Sequence, residues 1–308
     1  MSSKRVFRRT ALGTAVAAAA MTAAVFAPMA TASAGTAPPP AIPKWADFGT
    51  SSIHPGINTT TKDAVCTSNF VFYDAQHHAY IGQAAHCSGT GGPNETNGCN
   101  SKSLPLGTSV LLGDSKVSGT LVYNSWLTMQ KLGEKTEDVC ANNDFALVRI
   151  PDEALNKVNP SIPLFGGPTG LRETPVNGGE SVLSYGNSPL RGGISYLSPK
   201  QGVSLGTDPD GWEHTVYTFS PGVPGDSGSG FIDSEGKAFG VLSTLAIAPL
   251  PGSNGVADLA HVLAYAQQHS GIAGLTLAKG TASFQPGSVP VLAGFTNGAS
   301  LPKGNKEN

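Results

Sequence analysis

Charge is scarce in this chain. Only 13% of its 308 residues are Asp, Glu, Lys or Arg, and the formal net charge is −2. With no basic excess, the sequence gives no electrostatic reason to expect nucleic acid or an anionic membrane as a partner. Acidic residues are absent before Asp47, whereas Lys4, Arg5, Arg8 and Arg9 all fall in the first ten positions. No stretch reaches the roughly twenty strongly apolar residues that a membrane-spanning helix needs. Cysteine is limited to four residues, and none forms a Cys-x-x-Cys pair. That spacing argues against a zinc site, and no metal or cofactor is expected.

What is abundant is glycine and proline, at 39 and 23 residues. Such a composition suits a loop-rich, mainly β, exported protein. The basic first nine residues, the alanine-rich run 11–27 and the small-residue site Ala32-Ser33-Ala34 read as a signal peptide over 1–34. Arg8-Arg9 leaves a twin-arginine route open beside the general secretory one. The product is therefore expected outside the cell, free of the membrane once the signal is removed, and monomeric. Residues 35–61, rich in Pro, Ala, Ser and Thr, read as a flexible N-terminal stretch or a short pro-segment.

Short strand-like runs with Gly/Pro turns follow at 69–74, 79–83, 108–113, 117–123 and 144–150. A second set lies at 180–186, 193–197, 215–219, 229–233 and 238–245. This rhythm predicts an all-β protein, barrel or sandwich. Residues 256–268 place Leu259, Val262, Leu263 and Ala266 on one face of a closing helix. Residues 276–308 extend beyond it, and 288–295 read as a further strand.

Chemistry concentrates in Pro224-Gly225-Asp226-Ser227-Gly228-Ser229-Gly230. Flanking glycines let the backbone turn sharply around a serine and bring N–H groups close to a ligand. Alone, the run also admits a plain Gly/Ser turn. Two upstream blocks change that: Ala84-Ala85-His86-Cys87 and Asn143-Asp144-Phe145-Ala146-Leu147. The order His, Asp, Ser and the three blocks resemble the chymotrypsin/trypsin-like serine peptidases, over roughly residues 65–268. Gly-Asp-Ser-Gly-Ser-Gly is closest to bacterial members of that family.

The resemblance implies two six-stranded antiparallel β-barrels, over 62–160 and 161–275, with the C-terminal helix closing the second. It implies His86 as general base, Asp144 as its orienting carboxylate and Ser227 as nucleophile. The N–H groups of Gly225 and Ser227 would form an oxyanion hole. The substrate is then a protein or peptide, cleaved through an acyl-enzyme. By position, Pro221 falls at the base of the specificity pocket and Ser243, Thr244 and Leu245 form its wall. No carboxylate stands there to read Lys or Arg, and Leu245 narrows the pocket, which favours small or medium apolar side chains. Animal members free an N-terminal ammonium to pair with the Asp before the serine; no such cleavage site occurs here, so Asp226 needs another partner.

A hairpin centred between Gln76 and His77 opposes Tyr73 to Tyr80 and Cys66 to Cys87. That places the two cysteines within disulfide reach, as in the family. Cys99 and Cys140 then remain to pair. His77 and His78 fall at the hairpin tip, and no role follows for His214, His261 or His269. Two alternatives share the fold: a serine esterase, with identical acyl-enzyme chemistry, and a non-catalytic binding protein. The Gly-x-Ser-x-Gly elbow of α/β-hydrolases fits poorly, because Ser229 stands where the last glycine belongs and their histidine follows the serine.

Overall fold

The apolar runs of this chain are continuous where a half-buried strand would alternate, and the fold explains why. The computed structural model describes residues 42–92, 95–246 and 251–287. The signal peptide, the 288–295 strand and the remaining tail lie outside the described residues.

The first sheet orders its strands as β15 (Thr276–Leu277), β3 (Val71–Tyr73), β4 (Ala79–Gln83), β7 (Ala146–Arg149), β6 (Val117–Asn124), β5 (Ser109–Leu112), β1 (Asn58–Thr61) and β2 (Ala64–Thr67). Only residues 68–70 separate β2 from β3. There the Ser68 N–H donates to the Ile57 carbonyl and the Asn69 N–H donates to that of Gly82. The chain thus passes from β1 to β4, and with β2–β3 counted as one bent strand the ring holds six. Alternate side chains of its strands enter two different cores. Val71, Ile81 and Val148 fill the barrel, while Phe72, Tyr80 and Leu147 face a second apolar layer that also holds Leu183, Ile232 and Val241. Each such side chain contributes roughly 1.5–3 kcal/mol by burial.

The second sheet closes outright. β12 (Gly230–Asp233), β9 (Ser181–Tyr185), β10 (Pro199–Thr207), β11 (Glu213–Thr218), β14 (Ser253–Asp258) and β13 (Lys237–Ala246) form a ring completed by β12–β13 pairing. β8 (Gly170–Leu171) joins β13 in parallel at its edge. Val182, Val216, Phe231, Phe239 and Val256 fill the interior. Helices α1 (Ser125–Leu132) and α2 (Glu137–Asn142) lie between β6 and β7, and α3 (Leu259–His269) follows β14.

Several expectations are corrected. The 69–83 hairpin pairs Phe72 with Tyr80 and Tyr73 with Ala79, one residue away from the expected register. A type of turn in which His77 takes φ 68° and the His78 carbonyl accepts from the Asp74 N–H sets the slip. His77 is exposed, and the half-buried His78 binds the Asp74 carboxylate. The stretch to residue 61 is not loose throughout: Ile53 is fully buried and 58–61 form β1. Residues 193–197 are not a strand; Gly192 and Gly193 take positive φ and short 3-10 turns occupy the segment. Helix α3 starts at Leu259 rather than 256, because β14 runs on to Asp258, whose side chain accepts from the His261 N–H and caps the helix. Its buried face is the expected one, Leu259, Val262, Leu263 and Ala266. Residues 276–277 return to the first sheet as β15, with Thr276 opposite Tyr73.

Candidate active site

Strand pairing brings the first two candidate residues together. β4 and β7 are antiparallel neighbours with Gln83 opposite Ala146. The end of one therefore lies beside the start of the other. His86 sits in the 3-10 turn Ala85–Ser88 just past β4, and Asp144 lies two residues before β7. Asp144 is buried and accepts three hydrogen bonds. Its Oδ1 takes the His86 backbone N–H at 2.9 Å, and its Oδ2 takes His86 Nδ1 at 2.6 Å and Ser243 Oγ at 2.6 Å. Burial alone would raise the Asp144 carboxyl, but His86 and these donors hold it below the ordinary carboxylate range. Burial likewise pulls the His86 imidazole down, and the adjoining carboxylate overcomes this and leaves it above its ordinary value.

Ser227 lies in the turn between β11 and β12 and reaches the same cleft from the second barrel. The cleft has a volume of about 720 Å³, and His86, Asp144 and Ser227 all line it. The segment Cys66-Thr67 ties the two sides. Cys66 is bonded to Cys87, next to His86, as expected. The neighbouring Thr67 donates its backbone N–H to the Ser227 carbonyl at 2.8 Å and its hydroxyl to the Gly225 carbonyl at 2.8 Å. Gly225 and Gly228 take φ of 98° and 87°; a Cβ on Gly228 would lie 2.6 Å from the Thr67 carbonyl oxygen. Only glycine fits that approach. Among the described residues, neither the Gly225 nor the Ser227 N–H has a hydrogen-bond partner.

Asp226 is fully buried, and its partner is not a chain terminus. Lys200 Nζ lies 2.8 Å from its Oδ2, and the Arg191 guanidinium binds the same oxygen. Cys99 and Cys140 form the second disulfide, which ties the loop after His86 to α2. With all four sulfurs so engaged, the Cys66–Cys87 pair beside His86 offers no thiolate to a metal.

The pocket residues fare differently. Thr244 and Leu245 line the cleft, Leu245 being 57% exposed. Ser243 lines it too, but its hydroxyl is committed to Asp144, a role the sequence reading missed. Pro221 is exposed and is absent from the cleft wall, which is formed instead by Gly222 and Val223. Asn254 was also missed. It is buried, lines the cleft, and accepts the Gly222 N–H at 3.0 Å. Nothing in the pattern around Asn254 separates it from a turn asparagine. His214 is buried between Thr207 and Asp258, away from the cleft. Among the described residues, no helix is long and apolar enough to cross a membrane.

No family model matches the chain, and no curated protein matches it. Solved structures similar to it include Thermobifida fusca protease A, at 17% identity over 74% of this chain and 99% of that one, with a TM-score of 0.46. Nocardiopsis protease is 19% identical over 73% and 98%, with a TM-score of 0.43. Cellulomonas bogoriensis chymotrypsin is 17% identical over 73% and 98%, with a TM-score of 0.42. These likenesses are of fold.

Proposed function

We propose that this protein is a secreted serine endopeptidase that works through Ser227, His86 and Asp144. The observation that carries the reading is the Asp144 carboxylate, buried and bound to both the His86 backbone N–H and Nδ1. With Nδ1–H donated to Asp144, the other ring nitrogen carries the free lone pair. It is then the acceptor for the Ser227 proton, since a serine hydroxyl is too weak a nucleophile without a base. Ser227 Oγ attacks the scissile carbonyl, the proton passes to His86, and the imidazolium returns it to the leaving amine. Asp144 stays ionised and stabilises that imidazolium. The unpartnered N–H groups of Gly225 and Ser227 receive the oxyanion; losing one such donor costs roughly 3 kcal/mol in the barrier. Water then releases the acyl group by the same steps in reverse.

The wall formed by Gly222, Leu242, Ser243, Thr244 and Leu245 contributes no carboxylate of its own, the carboxylates of the cleft being Asp144 and Glu95, which supports small or medium apolar residues before the scissile bond. Two disulfides and a signal-like N-terminus support an extracellular site of action. The test is labelling with a fluorophosphonate, followed by assay on casein and a peptide panel. Wild type should be labelled and should cleave after Ala, Val or Leu; Ser227→Ala should do neither. Labelling without cleavage of any peptide would move the reading to an esterase. Failure of the folded protein to label would refute serine catalysis, and a strong Arg or Lys preference would refute the pocket reading.

A further inference from the structure

Much of the first-barrel side of the cleft is a loop, 89–102, that holds its shape without belonging to a strand or a helix. Its two ends are joined: Gly89 bridges to Ser103, and the Thr90 N–H donates to the Lys102 carbonyl at 3.0 Å. Its far side is fastened to the helices between β6 and β7. Cys99 is bonded to Cys140, and the Gly98 N–H donates to the Cys140 carbonyl at 2.8 Å. Gln130 Nε2 donates to the carbonyls of Gly98 at 2.8 Å and Ser101 at 2.7 Å. A loop fastened in this way is set before a substrate arrives, so its side chains recognise a ligand at little cost in ordering.

The loop brings charge into the cleft. Of the two carboxylates that line the cleft, Asp144 is committed to His86 and Ser243. Glu95 is the other. Its N–H donates to the Gly92 carbonyl at 3.0 Å, and its carboxylate folds back over Gly91, where a Cβ would overlap Glu95 Oε2. Lys102 is the cation on the same wall. Neither side chain has a partner among the described residues. Glu95, Thr96, Ser101 and Lys102 also line a second depression of about 350 Å³ that adjoins the cleft, completed by Asn97 and Asn100. Every residue around it is polar. A chain lying extended in the cleft points successive side chains to opposite sides. The residue before the scissile bond faces the second-barrel wall at Gly222 and Ser243–Leu245. Its two neighbours in the substrate therefore face the first-barrel side, where Glu95 stands.

We infer that Glu95 is a specificity-determining residue whose carboxylate selects a Lys or Arg side chain next to the residue that enters the pocket, either second before the scissile bond or first after it. Glu95 leads over Lys102 because its carboxylate is seated against the loop backbone at Gly91, whereas the Lys102 ammonium ends a flexible four-carbon stem. The inference rests on the peptidase reading for the bond that is cut, but not for the binding of a cationic side chain beside Glu95. Glu95 is exposed. An ion pair at such a site changes selection by no more than about fivefold, and salt weakens it.

The experiment measures kcat/KM on peptides with Leu before the scissile bond and Lys, Arg, Gln or Glu at each flanking position, for wild type, Glu95→Gln, Glu95→Lys and Lys102→Gln. Each protein is scored by its ratio of rates on the Lys and Gln peptides, so a general loss of activity cancels. Wild type should favour Lys and Arg over Gln by about three- to fivefold at one of the two neighbouring positions, and less at high salt. Glu95→Gln should abolish the preference, Glu95→Lys should turn it toward Glu, and Lys102→Gln should keep it. No basic preference at either position in wild type overturns the inference. So does a preference that survives Glu95→Gln, or an acidic preference that Lys102→Gln removes. Binding is followed separately by amide NMR shifts of residues 95–102 on adding the Lys or Gln peptide to Ser227→Ala, with and without Glu95→Gln. The Lys peptide should shift these amides more than the Gln peptide, and only where Glu95 is present; equal shifts overturn the inference. If wild type cleaves no peptide, the peptidase reading fails and the amide shifts alone judge Glu95.

Discussion

Replacing Asp144 with Asn exchanges one carboxylate oxygen for an NH₂ group and, by the geometry of the site, changes what His86 can do. The carboxylate serves three donors. Oδ1 takes the His86 backbone N–H, and Oδ2 takes both the His86 ring and Ser243. An amide has one acceptor oxygen and one NH₂ group. The backbone N–H cannot turn away, so the oxygen must stay at the Oδ1 position. The NH₂ then occupies the Oδ2 position, where it points two hydrogens at His86 Nδ1 and at the Ser243 oxygen. Ser243 can rotate to accept. The imidazole can accept only by moving its proton to Nε2, and the lone pair that should receive the Ser227 proton is gone. The variant should therefore be folded and nearly inactive. The wrong tautomer in a triad lowers turnover by about 10⁴, equivalent to roughly 5.4 kcal/mol of barrier. Exchanging charge-assisted for neutral hydrogen bonds should cost about 1–3 kcal/mol of stability. The assays are the rate of fluorophosphonate labelling at pH 7.5, chemical denaturation, and nitrogen-15 NMR of the ring to identify the tautomer. A folded Asp144→Asn protein that labels within tenfold of wild type would refute the assignment of Asp144 as the orienting carboxylate.

Three further expectations follow from the same contacts. Thr67→Val keeps the backbone bond to Ser227 but leaves the Gly225 carbonyl and the Asn187 N–H without their hydroxyl partner; a loss of about 1–3 kcal/mol is expected, with slower labelling, and unchanged values on both measures would show that Thr67 does not hold the loop. Removing the Cys99–Cys140 bond by a double Ser substitution opens a crosslink spanning 41 residues of sequence, which by chain entropy should cost about 4 kcal/mol, read from the denaturation midpoint. For pH, His86 must be neutral to act as base and is held above its ordinary value, so labelling should fall on the acid side with a midpoint above about 6.5. The pair's contribution to stability runs the other way: it is complete below the unfolded imidazole value and fades as pH rises through the folded one. A midpoint below that of free histidine would contradict the ion pair.

The candidate site was more legible in the sequence than the contacts around it. His86, Asp144 and Ser227 announced themselves through short blocks whose order and neighbours are specific, and the two disulfides followed from register and elimination even though the register was one residue off. The pairing survived that slip, since Cys66 and Cys87 still lie 6.0 Å apart at their Cα atoms. The supporting contacts left no such trace. Ser243 reads as any pocket serine until Asp144 is placed 99 positions upstream, and Lys200 sits in a Pro-Lys-Gln-Gly run that carries no strand signal because glycine and proline interrupt it. Helix α1 was legible but passed over: Asn124 caps it by accepting the Leu127 N–H, and Gly133 ends it with φ of 69°. The strand expected at 193–197 failed for the opposite reason, since Gly193 and the preceding Gly192 permit a turn that apolar neighbours alone do not reveal.

The pairing of Thr276–Leu277 with Phe72–Tyr73 has a consequence for how the molecule is made. A polypeptide emerging from a ribosome or translocon amino end first presents β3 long before the segment that covers its outer edge exists. About two hundred residues of synthesis separate the two. Until the last of them arrives, the amino-terminal half carries an open hydrogen-bonding edge able to recruit a foreign strand. Assembly of this protein is accordingly a race between completing the chain and capturing a neighbour, and its yield should depend on the speed of delivery as much as on the depth of the native well.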